Sequence, residues 1–216
     1  MLLNSETERV RRRYEEAAGQ YDRLIVFEEK LFVGDGRRWV CSQARGDILE
    51  IAVGTGRNFP YYPEDVRLTG IELSPAMLEI ARRRARRLGR EADLRVGDAQ
   101  ALDFPDERFD TVVCTLSLCT IPDDRRAVSE AWRVLRPGGR LLLLEHVRSL
   151  LLPVRILQRA LDPLFVRFEA DHLLREPLEH LNAAGFEVER IERSKLGVVE
   201  CLSARKPTSL SADAAY

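Results

Sequence analysis

The sequence predicts a doubly wound α/β fold with a mainly parallel seven-stranded sheet, an N-terminal helical cap and a terminal antiparallel hairpin. Three observations predict it. From residue 47 to about 184, short apolar runs alternate with helix-period stretches, the rhythm of βαβ units. The first three of these runs end in glycine or acidic residues, the place where ligands bind in open α/β sheets. Two further runs, 186–191 and 198–202, follow each other too closely for a crossover helix.

The elements can be taken in order. Ser5 and Glu8 have capping-box spacing, and Val10, Tyr14, Ala17, Ala18 and Tyr21 recur at helical intervals, so residues 5–18 read as a helix. A second helical stretch runs from about Leu24 to Cys41, broken near Gly34 and Gly36. Strands are expected at 47–53, 66–71, 93–96, 109–116 and 140–146. Ser74 caps a helix with Pro75 at its first position and a buried stripe of Met77, Ala81, Ala85 and Leu88. Asp123 starts another helix with a stripe of Val128, Ala131, Trp132 and Leu135, which Pro137-Gly138-Gly139 ends. Residues 147–173 form a helical insertion, with Val154, Leu157, Leu161, Leu164, Phe165 and Phe168 in an amphipathic pattern. A last helix covers about 176–184. The expected organisation is one domain over 1–206, with 1–45 as cap, and a frayed polar tail over 207–216.

Composition narrows the function classes. The chain has 216 residues, 45% of them apolar, enough for a full core. Its 34 basic residues face 35 acidic ones, a net charge of −1, which argues against a general nucleic-acid binder. No apolar run approaches the roughly 20 residues of a membrane span, and the charged start is unlike a secretory signal. Four cysteines without a CxxC pair, and three histidines at no ligand spacing, lead us to expect no metal. The expected setting is cytoplasmic with reduced thiols.

Three stations along the sheet edge suggest a cofactor. The turn Gly54-Thr55-Gly56 after the first strand lets a ligand approach the backbone and aims amide N–H groups at it. Glu72, ending the second strand, is placed to accept from both hydroxyls of a ribose. These two features also suit a nicotinamide-dependent oxidoreductase. That enzyme's fingerprint, however, wants a third glycine where Phe59 stands. Asp98 and Ala99, ending the third strand, can hold an adenine through its amine and a ring nitrogen.

The sequence here resembles the class I methyltransferases that use S-adenosylmethionine (SAM). The matching residues are Leu49-Glu50-Ile51-Ala52-Val53-Gly54-Thr55-Gly56, Gly70-Ile71-Glu72-Leu73-Ser74-Pro75-Ala76-Met77-Leu78, Gly97-Asp98-Ala99, Phe109 to Cys114, and Arg133 to Gly139. Ala52 departs from the usual E-x-G-x-G-x-G at its first glycine. The resemblance implies a Rossmann-like fold and a SAM site drawn from Glu50, Gly54, Thr55, Gly56, Glu72, Leu73, Met77, Asp98, Ala99 and Thr115. Met77 or Leu73 would pack on the purine, and the product would be S-adenosylhomocysteine. The runs Val113 to Cys119, Leu144 to Val147 and Leu161-Asp162-Pro163 are similar to membrane-associated thiol methyltransferases. The opening Tyr14 to Asp22 is similar to quinone-biosynthesis and phosphatidylethanolamine N-methyltransferases, which implies that Tyr14 and Tyr21 close over the cofactor.

Methyl transfer from a sulfonium needs positioning more than acid–base machinery, so no catalytic motif is required. The candidates are His146 at the end of the fifth strand, His172 beside Asp171, and Tyr21. Cys114 and Cys119 read as small buried hydrophobes. The arginines at 82, 83, 84, 86, 87 and 90 read as a solvated face. The insertion at 150–168 is either a lid over the acceptor or a basic amphipathic helix lying on a membrane. Both imply a small or lipid-like, partly apolar acceptor: an amine headgroup, thiol, quinone or phenol. A non-catalytic SAM-binding or membrane-surface module is the remaining alternative.

Overall fold

The computed structural model describes residues 5–168 and 170–208. One sheet has the strand order β3-β2-β1-β4-β5-β7-β6. Its strands are β1 (Asp47–Ile51), β2 (Arg67–Glu72), β3 (Ala92–Val96), β4 (Phe109–Thr115), β5 (Leu135–His146), β6 (Glu187–Ser194) and β7 (Val199–Arg205). β1 to β5 are mutually parallel, and β7 inserts antiparallel between β5 and β6. The order reverses between β1 and β4, so a crevice opens at the carboxyl ends of those two strands.

The alternation along each central strand fills two cores. Leu49, Ile51, Val112, Cys114, Leu141 and Leu143 face α4 (Asp124–Val134) and α6 (Pro177–Ala184). Ile48, Val113, Leu142 and Leu144 face α2 (Gly36–Cys41) and α3 (Pro75–Arg87). Both faces are covered, which is why these strands read as continuous apolar runs. Ser74 caps α3 by accepting from the Met77 amide, and Asp123 caps α4 by accepting from Arg126. Gly185, in the left-handed conformation at φ +91°, closes α6.

Several boundaries differ from the sequence reading. The first helix, α1 (Ser5–Glu28), is ten residues longer than expected and passes through a π turn at Glu29–Val33 before α2. Glu8 binds Arg11 and Arg12 rather than serving a capping box. Leu88, expected in the stripe of α3, is exposed at its C-cap. The Pro137-Gly138-Gly139 turn lies inside β5, bulging between the pairs Phe109–Leu135 and Thr111–Arg140. Lys206 does not begin a frayed tail: its ammonium donates to the carbonyls of Trp132 (3.0 Å) and Leu135 (2.8 Å). The rest of the expected tail lies almost wholly outside the described residues. The insertion is a helix, α5 (Leu152–Phe168).

The glycine turn has a steric reason for its composition. Gly56 has φ +78°, and a Cβ there would lie 2.4 Å from the Phe59 ring. Phe59 is fully buried. Gly56 and Phe59 are therefore a matched pair, and the large residue at the third-glycine position fills the space its neighbour leaves. Gly56→Ala should destabilise the fold by roughly 2–5 kcal/mol, adding left-handed strain to overpacking. Thermal or urea unfolding measures this, and Phe59→Leu in the same chain should recover part of the loss.

β1 and β5 each bury a carboxyl. Glu50 accepts from Asn58 (2.8 Å) and Tyr62 (3.0 Å), and Glu145 accepts from the Ser117 and Leu118 amides. Burial outweighs these bonds and pushes each carboxyl up to about 7. The native chain thus keeps protons that an unfolded chain releases near 4.5. Stability should fall as pH rises from about 4.5 to about 7 and level off above, by on the order of 1–3 kcal/mol per group. Unfolding midpoints measured across this range should show a shallower slope for Glu145→Gln; an unchanged slope would rule Glu145 out as a source.

Candidate functional site

A crevice opens at the switch point. Tyr14, Tyr21, Gly54, Thr55, Glu72, Leu73, Met77, Asp98, Ala99 and Thr115 all line it. Two of the expected residues do not. Glu50 points behind the wall to Asn58 and Tyr62, because the inward-facing position of β1 sits beneath the turn. Gly56 turns its α-carbon toward Phe59.

The expectation that the turn aims its amides at a ligand needs correcting. The Gly54 amide donates to Glu72 (2.9 Å), and the Gly56 amide donates to Val53 O (2.9 Å). Both glycine amides are spent inside the protein. What Gly54 supplies is access: at φ +56°, a Cβ there would find only the Ala52 carbonyl, 4.0 Å away.

Glu72 is buried, and each oxygen accepts one amide, from Gly54 and from Ser74 (2.9 Å). Burial raises its pKa against those bonds. Each oxygen retains a second acceptor direction. Asp98 is fixed by Gln100, which donates through its backbone and side-chain amides, both at 2.9 Å. Ala52 (φ 52°) follows β1 and Leu116 (φ 53°) follows β4, both in left-handed backbone and both on the crevice wall. Such strain in non-glycine residues collects at functional sites.

Sequence reasoning missed the ionic layer beneath the cap. Arg37 donates to Asn58 (2.7 Å) and Thr115 (2.9 Å) and pairs with Glu29. Arg57 binds Glu29 (2.5 Å) and lies 3.5 Å from Asp22. Asp22 also accepts from Thr55 (2.7 Å) and Arg84 (2.5 Å). Arg84 is thus no part of a solvated face. Desolvation opposes ionisation of both carboxylates, but the arginines and their hydrogen bonds prevail and lower both pKa values. Three guanidiniums against two carboxylates leave one surplus positive charge, and Arg37 and Arg57 reach the crevice wall. Arg57 following Gly56 and Asp22 at the end of the Tyr14 to Asp22 run were the available signals; Glu29 and Arg37 carried none.

α1 closes the crevice and is tied at three points. Thr7 meets Gln100 (3.1 Å), Glu15 accepts from Ser74 Oγ (2.5 Å), and Asp22 reaches Thr55. Tyr14 and Tyr21 pack edge to face, 6.0 Å between ring centroids. Burial pushes both phenols well above their ordinary range, so they are neutral donors near pH 7.

A second cavity shares Tyr14, Tyr21, Leu116 and Thr120 with the first. Leu24, Ile25, Val33, Leu164 and Phe165 give it apolar walls, and Cys119, His146 and Asp171 lie along it. His146 is therefore in a pocket, as its place at the end of β5 predicts. His172 is not. It lines neither cavity, its backbone amide binds Cys119 O (3.0 Å), and it is its neighbour Asp171 that faces the cavity. Burial, then Arg175, lowers the His172 pKa.

Residues 49–143 match the methyltransferase domain family. The chain is 41% identical over 126 residues to a phosphatidylethanolamine N-methyltransferase of Cereibacter sphaeroides, covering 57% of this chain and 60% of that one. It is 36% identical to a demethylmenaquinone methyltransferase of Thermus thermophilus, covering 61% of this chain and 63% of that one. To a thiol S-methyltransferase of Rattus norvegicus it is 32% identical, covering 67% and 62%. The chain thus spans less than two thirds of the length of these curated relatives. A SAM-dependent methyltransferase structure from Thermotoga maritima superposes over 90% of this chain and 99% of its own, with a TM-score of 0.70 at 24% identity, which is a likeness of fold. Over residues 49–143 the chain is thus similar to the methyltransferase domain family, and its sheet has the fold of the superposed structure.

Proposed function

We propose that the protein transfers a methyl group from SAM to a small or lipid-like, partly apolar acceptor. The observation that carries this reading is the junction of two cavities at Tyr14, Tyr21, Leu116 and Thr120. One is lined by polar and apolar groups together, the buried carboxylate of Glu72 among them; the other is largely apolar.

In this reading the crevice fits the cofactor residue by residue. Glu72 takes the ribose hydroxyls on its remaining acceptor directions. Asp98 and Ala99 face the adenine, with Met77 and Leu73 against the ring. The surplus cation of Arg37 and Arg57 answers the carboxylate of the amino-acid tail, while Gly54 and Thr55 border it and Thr115 steadies Arg37. SAM supplies a methyl carbon on a positively charged sulfur, which becomes a neutral thioether as the acceptor's lone pair bonds to that carbon. The protein's part is alignment across the junction, where positioning alone can supply about 7–11 kcal/mol. Tyr14 and Tyr21, both neutral, exclude water and donate hydrogen bonds there rather than accept a proton. His146 lies on the acceptor side.

The lid and membrane readings of α5 combine. Leu164 and Phe165 wall the second cavity, so the helix does border the pocket. Leu152, Ile156 and Leu157 face away and stay more than half exposed, as does Leu24 beside the cavity mouth. Arg155, Arg159 and Arg167 lie on the same helix. This supports contact with an anionic bilayer from which an apolar acceptor enters. Among the described residues no helix is long and apolar enough to cross a membrane.

Incubation with labelled SAM and four acceptors (an amine-headgroup lipid, a thiol, a quinone and a phenol) should yield S-adenosylhomocysteine with at least one; release with none overturns the reading. Glu72→Ala should cost at least ~2 kcal/mol of SAM affinity by calorimetry. Anionic liposomes should co-sediment with the protein, and Ile156→Ser with Leu157→Ser should reduce that binding. Equal recovery with and without liposomes removes the membrane contact.

A further inference from the structure

Far apart in the sequence, Cys119, His146 and Asp171 converge on the wall of the second cavity. One donor atom from each, the Cys119 sulfur, an imidazole nitrogen and a carboxylate oxygen, lies within 4.8 Å of the others. Cys119 follows the left-handed residue Leu116 after β4, His146 ends β5, and Asp171 follows α5. Three separate segments thus deliver three different donors to one point.

A second observation points to a ligand there. Among the described residues, Asp171 Oδ1 is buried without a hydrogen-bond partner. A buried carboxylate oxygen left unpaired is costly. A cation bound between the three groups satisfies it and replaces the thiol proton.

We propose that Cys119, His146 and Asp171 form a binding site for a divalent transition-metal ion of the zinc class. The donor set suits that ion: one thiolate, one imidazole and one carboxylate are all ligands it takes. Tetrahedral coordination requires donors about 3.5 Å apart, a modest closing of the present spacing through side-chain rotation. Three protein ligands leave a fourth position open, the pattern of catalytic rather than structural sites. That position lies on the side of the cavity assigned above to the acceptor. The metal site itself stands whether or not the acceptor assignment holds.

The test uses the full chain, stripped with a chelator and then titrated with Zn²⁺ or Co²⁺ alone. One equivalent of Zn²⁺ should survive desalting, and Co²⁺ should give the visible bands of a tetrahedral site with a sulfur-to-cobalt charge-transfer band. Cys119→Ser should abolish that charge-transfer band. His146→Ala and Asp171→Asn should each weaken Co²⁺ binding at least ~10-fold, the loss seen even for groups that only support a ligand. Cys201→Ser, on the far side of β5 from Cys119, should change nothing. Substoichiometric metal, or a charge-transfer band that survives Cys119→Ser, overturns the proposal. X-ray absorption on the Zn²⁺-loaded native chain gives a readout free of folding defects: one sulfur ligand is expected, and a shell of nitrogen and oxygen alone overturns it. SAM binding measured in parallel separates the two readings, since a chain that binds SAM but no metal loses only this one.

Discussion

The ionic layer between the N-terminal cap and the glycine turn is the constraint on which the site depends. Asp22 and Glu29 come from the cap, Arg57 from the turn, Arg37 from α2 and Arg84 from α3. None of these groups is buried cheaply alone, since an unpaired interior charge costs several kcal/mol. Each therefore fixes the position of the others. The cap cannot lie across the crevice without the turn beneath it, and the turn's arginine has no carboxylate without the cap.

This mutual dependence gives the surroundings of a short glycine turn positive charge although both glycine amides are internally committed. The Gly54 amide orients Glu72, and the Gly56 amide closes the turn on Val53. Positive charge comes instead from the guanidiniums behind it. The left-handed residues Ala52 and Leu116 mark where β1 and β4 turn away from each other to open the crevice. The backbone strain sits at the point of strand-order reversal, where the sheet edge is freest to hold a ligand.

The second cavity follows a different logic. Its walls come from elements distant in sequence, α1, the loop after β4, the end of β5 and α5, and are mainly apolar. α5 turns part of its apolar surface to this cavity and leaves the rest exposed. That exposed apolar face is the surface on which the membrane contact proposed above rests.

The sequence by itself determined the sheet, the strand ends and most of the lining of the crevice at the strand-order reversal. Those features are local: a strand, a glycine turn and an acidic strand end occupy consecutive residues, and parallel topology brings such ends together along one edge. Gly54, Glu72 and Asp98 were legible for that reason. Tertiary structure alone decided which inward-facing residue lines the crevice and which lies behind it, so Glu50 and Gly56 could not be separated from their neighbours by pattern. It also decided that Asp171, not His172, faces the cavity, because the His172 backbone amide donates to the Cys119 carbonyl and so fixes the loop there. The arginine–carboxylate layer and the Cys119, His146 and Asp171 cluster join residues tens of positions apart. Contacts of that kind leave no spacing in the chain, since only the packing of the cap and α5 onto the sheet brings their charges and donor atoms within reach.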